Sequence, residues 1–361
     1  MRYGLSAEDK SYGVGIYQKY TGKKLFIITI LLVMIILLSI FAINSGSSAL
    51  KPSEVFMSIL GYGNNISNIV IWRIRLPRVL AGIIAGAGLS AAGCVMQNNL
   101  RNPLASPSTL GISNAAAFGA NIAIIVFGAG NIKSSSADAV IINNPYLVTA
   151  SAFAWSMAAT VIILLLAKFK GFRPESMVLA GVALGSLFSA GSTLIQYFAQ
   201  DTQVAAVVFW TFGDLGRVSW NEVIIMFCLT IIAIIYFMFR RWDYNALDSG
   251  EESAQSLGVN VERVRFGGMF ISSLLTAVSV SFLGVIGFIG LIGPQIMRRL
   301  IGGDHRFLLP ASTLMGAFLL LISDTLARTI IAPIILPVGA ITSFLGAPLF
   351  LYLLMRGYKK R

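Results

Sequence analysis

The sequence is poor in charge. Asp, Glu, Lys and Arg supply 12% of its 361 residues, against about 25% in an ordinary soluble domain. That sets aside a water-soluble globule. It also sets aside a disordered chain, which needs low hydrophobicity. Histidine occurs once, at His305, so a multi-histidine metal centre is excluded. Cysteine occurs twice, at Cys94 and Cys228. Two are too few for a disulfide scaffold, and both sit in apolar runs that read as buried helix. No G-x-x-x-x-G-K-[ST] string is present, so any ATP chemistry must come from a partner. Scattered Ser and Thr with one His do not supply the polar groups that an intramembrane hydrolase needs at one depth.

What the chain has is apolar sequence, 56% of its residues. A helix needs about 20 largely apolar residues to cross a bilayer. Candidate spans lie at 25–43, 79–98, 107–129, 146–168, 177–199, 222–239, 308–329 and 338–356. The first is too long for a signal-peptide core and no small-residue cleavage site follows it, so it reads as an uncleaved helix. The stretch 266–297 has no charged residue and would reach about 48 Å as one helix, too far for one crossing. Gly284, Gly287, Gly290, Gly293 and Pro294 predict two helices, 266–284 and 286–301, with a sharp reversal between them. The expectation is an all-α membrane protein of ten transmembrane helices, with both termini on one side. Its layout is a cytoplasmic tail at 1–24, a transmembrane domain at 25–356 with a cytoplasmic loop at 240–265, and a tail at 357–361.

Of the 27 Lys and Arg, 20 fall on the side of the termini, which places the termini in the cytoplasm. The net charge of +12 is therefore a topological signal and does not point to nucleic acid. Three of the seven outer cations crowd together as Arg73, Arg75 and Arg78. An ion-coupled carrier would place charges near the membrane midplane, and these spans hold almost none. Asp324 and Arg328 are spaced i, i+4 and can pair. Gly82 with Gly86, and Gly181 with Gly185, have the spacing that lets helices pack closely. In the loop 240–265, Asp248 or Ser249 can cap a short helix with Glu251 and Glu252 in its first turn. Ala254 and Leu257 would share a face, and Gly258 would end the helix in a left-handed conformation. Such a helix is either a solvated surface loop or a docking element for a cytoplasmic partner.

An ordered series of short strings carries a resemblance. It runs Arg75-Leu76-Pro77-Arg78, Asn102-Pro103-Leu104-Ala105, Thr109-Leu110-Gly111-Ile112 and LAGVALG (179–185). GEE at 250–252 with Leu257-Gly258, GFIGLIGP (287–294), Gly303-Asp304-His305-Arg306, Leu336-Pro337-Val338-Gly339 and Leu345-Gly346-Ala347-Pro348 follow. Over roughly 25–356 the chain resembles the FecCD family of ABC-transporter permeases, which import ferric siderophores, haem and vitamin B12. The resemblance implies the ten-helix type II ABC importer permease fold and a second permease subunit, identical or related. It also implies two cytoplasmic ATPases that hold ATP and Mg, and an extracytoplasmic substrate-binding protein. The chain itself would hold no cofactor and do no covalent chemistry. Leu247, Gly250, Glu251, Ala254, Leu257 and Gly258 match the family's coupling helices to the ATPase. Arg75, Arg78 and Arg328 match positions that salt-bridge the binding protein. Contact with lipid phosphates is the competing reading for the arginine cluster, and an ion pair with Asp324 is the competing reading for Arg328. Pro174, Glu175 and Ser176 match the cytoplasmic gate, although Glu175 would also be favourable simply at a helix N-terminus. Two positions depart from the family pattern, Ile335 in place of Glu and Gln295 in place of His, and neither is assigned a role.

Overall fold

The computed structural model describes residues 7–46, 50–129 and 144–355, and those residues form helices joined by turns, with no strand among them. The first helix, α1 (Ala7–Asn44), begins well inside the segment expected as a tail. Two short helices follow, α2 (Pro52–Ile59) and α3 (Asn65–Asn68). A π-helical stretch, Ile69–Arg75, then runs without a break into α4 (Leu76–Asn99). The resulting rod, Asn65–Asn99, is longer than the expected span. Next come α5 (Ile112–Asn121), with a π-helical extension to Val126, then α6 (Pro145–Phe169) and α7 (Pro174–Tyr197). α8 (Asp201–Thr211), α9 (Trp220–Phe239), α10 (Arg241–Asp248) and α11 (Glu251–Ser256) come before α12 (Val261–Leu283). The chain ends in α13 (Ile289–Ile301), α14 (His305–Thr329) and α15 (Val338–Met355).

All ten expected spans fall on helices. Seven are long and apolar enough to cross a membrane, and the other three fall on the shorter stretches Ile112–Val126, α13 and α15. The expected start of the third span at 107 is corrected to Ile112, because 101–111 forms turns that end at Gly111, φ +72°. The predicted reversal after α12 is present. Gly284 (φ +80°) ends α12, and Phe288 (φ +65°) opens α13.

The rod containing α4 is the axis of the bundle. Its apolar window is 83% buried, against 17% for α1 and α7. Its middle is almost all Ala, Gly and Ser, which lets neighbouring backbones come close. A Cβ on Gly86 would strike the Gly316 carbonyl of α14, and one on Gly93 would strike the Gly290 carbonyl of α13. Gly181 and Gly185 likewise seat α7 on Leu110 and Gly111. The glycine pairs are therefore close-packing sites. The peripheral helices turn Leu32, Leu37 and Phe41 of α1, Leu187 and Leu194 of α7, and Ile232 of α9 outward. Cys94 is buried, but Cys228 lies on the outward face of α9, which corrects its expected burial. The expected tail 357–361 and residues 130–143 lie outside the described residues.

Candidate functional site

At the end of the bundle where α1 stops and α4 starts, three arginines meet. Arg75, Arg78 and Arg328 are all buried. Arg78 Nη2 lies 2.8 Å from Asp324 Oδ1 and 3.4 Å from Asp214 Oδ1. Arg328 Nε donates to Asp324 Oδ2 at 3.0 Å. Asp324 itself is fully buried. The other guanidinium nitrogens reach the C-terminal end of α1. Arg75 Nη1 donates to the carbonyls of Ile43 and Asn44 (2.7 and 3.2 Å), and Arg328 donates to those of Ser45 and Ala42 (2.9 and 3.2 Å). The last carbonyls of a helix lack intrahelical donors, and here arginines from other helices supply them. The cluster thus ties α1, α4 and α14 together at one rim. The predicted Asp324–Arg328 pair is present, with Arg78 added to it. Of the cluster's carboxylates, only Asp214 reaches the surface, with 42% of its side chain exposed.

At the opposite end, α10 and α11 form an elbow between α9 and α12. The helix expected in this loop is α11. Gly250 stands at its N-cap, in place of the expected Asp248 or Ser249, and Gly258 follows it at φ +82°. The expected shared face for Ala254 and Leu257 is corrected. Ala254 is fully buried, whereas Leu257 lies past the last helical residue and is 72% exposed. Leu247 is buried as well, in one cluster with Ala254, Val261 and Met297. Gly250 and Glu251 lie at the N-terminus of α11 and Gly258 is exposed. The exposed surface around α11 is therefore Glu252, Ser253, Gln255, Ser256, Leu257 and Gly258.

Two polar anchors hold the elbow to the bundle, and sequence reasoning identified neither. In the first, Asn98 of α4 donates from Nδ2 to Asp248 Oδ1 (2.7 Å) and to the Tyr244 carbonyl (3.0 Å). The buried His305 places Nε2 3.3 Å from Asp248 Oδ2, and Arg101 donates to the Leu247 carbonyl at 3.0 Å. Partial burial of Asp248 pushes its carboxyl pKa up, but the bond to His305, the charge of Arg298 and the bond from Asn98 outweigh this and hold it below the usual carboxylate value. Nearby, burial also raises Asp304. Bonds from Arg306 and Asn245 overcome that and bring it down to about 2. The second anchor is Arg265, 1% exposed. It donates to Glu251 Oε2 at 2.8 Å and to the Phe172 carbonyl at 3.2 Å.

The gate candidates stand beside this second anchor. Pro174, Glu175 and Ser176 form the first turn of α7, with Glu175 exposed. One face of α7 and the start of α5 line an open cleft of about 540 Å³ with Ser108, Asn114, Ser186, Ser189 and Thr193. Gln295, assigned no role from sequence, donates to the Pro103 carbonyl at 2.7 Å and to Gln97 Oε1 at 3.2 Å. It thereby joins α13 to the turn after α4.

Comparison with known proteins agrees with this architecture. The family model described as the FecCD transport family matches residues 31–356. An ABC transporter permease protein of Methanocaldococcus jannaschii is 58% identical, covering 95% of this chain and 98% of that protein. The Fe(3+)-citrate import system permease of Bacillus subtilis is 38% identical, covering 92% and 95%. A solved metal-chelate type ABC transporter in an inward-facing conformation aligns over 92% of this chain and 99% of the other, with TM-score 0.78 and 28% identity.

Proposed function

We infer that this chain, which belongs to the FecCD transport family, is the membrane-embedded permease of an ATP-driven, binding-protein-dependent importer of a ferric chelate, most specifically an iron–siderophore. The observation that carries the reading is the elbow, two short polar helices locked onto one end of an otherwise apolar bundle. A permease without its own nucleotide site needs a rigid handle for an ATPase. A surface of Glu252, Gln255, Ser256 and Leu257 on a helix anchored from behind suits that task. Leu247 and Ala254 support it from inside the core, and Gly250 and Gly258 set its two ends.

On this reading the elbow faces the cytoplasm of a cell membrane and the arginine cluster faces outward. Three guanidiniums against two carboxylates leave that rim positive. A positive rim attracts an acidic partner over distance and sets its register. Arg75, Arg78 and Arg328 are already engaged within the bundle, so their part in docking a binding protein is through this field and through rigidity. The hydroxyl- and amide-lined cleft on α7 suits a pathway shared with a second permease copy. Weak neutral contacts there let a bulky ligand pass without being trapped.

The test is uptake by vesicles containing the permease, the ATP-binding subunit and the soluble receptor encoded beside it. Radiolabelled ferric siderophore, haem and cobalamin are offered in parallel. ATP-dependent uptake of the ferric siderophore is the expected result. Uptake driven by a proton or sodium gradient without the ATPase would overturn the reading, and preference for haem or cobalamin would reassign the substrate.

A further inference from the structure

Among the described residues, one of the largest fully buried side chains is a charged one, Arg265. It sits on α12 one turn past Val261 and just before Gly268, on the helix face that packs inward. A charge buried this deeply carries a desolvation cost that an apolar residue of similar volume would avoid. Arg265 bridges two segments that lie far apart in the sequence, near residues 172 and 251. One nitrogen holds Glu251, the first residue of α11. Another holds the carbonyl of Phe172, in the turn that ends two residues before α7 begins. That turn is tight. Gly171 and Phe172 are both left-handed (φ +64° and +52°), and the Phe172 amide donates back to Ala167 O at 2.8 Å. The Phe172 ring packs edge-on against Phe266, the residue after Arg265, at 6.0 Å. Displacing Phe172 therefore shifts the start of α7, whose face lines the cleft described above.

We propose that Arg265 is a positioning residue, a strut joining the helix that meets the ATPase to the turn that opens α7, so that movement of one is imposed on the other. This rests on the importer reading and extends it by naming the route from the nucleotide-driven partner to the pathway. Two bonds from one planar guanidinium fix direction as well as distance. A lysine carries a point charge and does not reproduce that fork.

The experiment uses the full-length permease assembled with its ATP-binding subunit and receptor in vesicles. Arg265→Met keeps the apolar stem and removes both bonds. Because the Glu251 side chain is 40% exposed and can rehydrate, the variant is expected to stay folded and to capture the ATP-binding subunit equally well. Stimulation of ATP hydrolysis by the loaded receptor should be lost, and uptake should fall roughly tenfold or more, in line with loss of a charge-assisted bond. Arg265→Lys should recover only part of it. Spin labels at Glu175→Cys and Ser256→Cys, with Cys94 and Cys228 replaced by Ala, report the link without any transport. Their distance distribution should be narrow with Arg265 and broad with Met. Arg265→Met that couples normally and keeps the narrow distribution overturns the strut alone. A wild-type chain that captures no ATP-binding subunit overturns the importer reading, and the coupling role with it. If Arg265→Met does not fold, the same two measurements on Arg265→Lys decide, and full coupling there overturns the proposal.

Discussion

The two ends of the bundle use the same chemistry, buried cations against carboxylates and carbonyls, for different mechanical ends. At the arginine rim, Arg75, Arg78, Arg328 and Asp324 join helices that also pack through their apolar faces, so the polar cluster locks parts that already belong together. At the elbow, Asn98, His305 and Arg265 reach out of the bundle to hold α10 and α11, which enter the apolar core through Tyr244, Leu247 and Ala254. Removing a rim charge should therefore break the protein. Removing an elbow charge should loosen a joint.

The largest expected effect is at Asp324. Truncation to Ala leaves Arg78 and Arg328 buried without their shared carboxylate, a loss of about 3–5 kcal/mol for breaking a buried pair from one side. Chemical unfolding of the detergent-solubilised protein measures it. Replacing the set by Arg78→Met, Asp324→Leu and Arg328→Met should restore most of the stability. Uptake by this triple variant then separates the two roles of the rim. Recovery would make the cluster purely structural. Persistent failure to bind the loaded receptor would show that its charge is needed as well.

The same contrast explains what could be read in the sequence. Apolar run length is a strong signal, and it located ten helices and the reversal at Gly284. The pair Asp324–Arg328 was legible because helical spacing alone brings its members together. Arg78 was not, since its partner lies 246 positions away. Ala254 and Leu257 were placed on one face by periodicity, but that argument holds only while the helix continues, and α11 stops at Ser256. α8 escaped notice because eleven residues are too few for a span. Its mark was Gln203 three positions after Gln200, whose backbone amide it accepts at 3.2 Å. Arg265 did leave a signal. It shares a helix face with Val261, Val264 and Gly268, and a cation inside an apolar stripe needs a buried partner. Counting it only toward topology hid that.

A middle-sized effect is expected from pH at the elbow. Asp304 caps α14, accepts from Arg306 and is held at about 2. Because the folded value lies below the ordinary carboxylate value, the stabilisation is complete above about pH 4 and is lost as pH falls toward 2. Asp304→Asn should therefore lower the unfolding temperature at pH 7, and the difference from wild type should close at the acid end of that window. A difference independent of pH would mean that the hydrogen bonds matter and the charge does not.

The smallest effect on stability, and the sharpest on partnership, belongs to Leu257. Its side chain projects from the elbow past the end of α11 and fills no part of the core. Leu257→Asp should change folding stability by no more than about 0.5 kcal/mol, as surface substitutions away from special features do. An aspartate placed where an apolar side chain enters a partner's groove carries a desolvation cost on binding and none on folding. Capture of the ATP-binding subunit should therefore weaken while the isolated permease keeps its unfolding temperature. Unchanged capture would move the contact surface to Glu252 and Gln255 on the preceding turn. It would leave the elbow anchored as described.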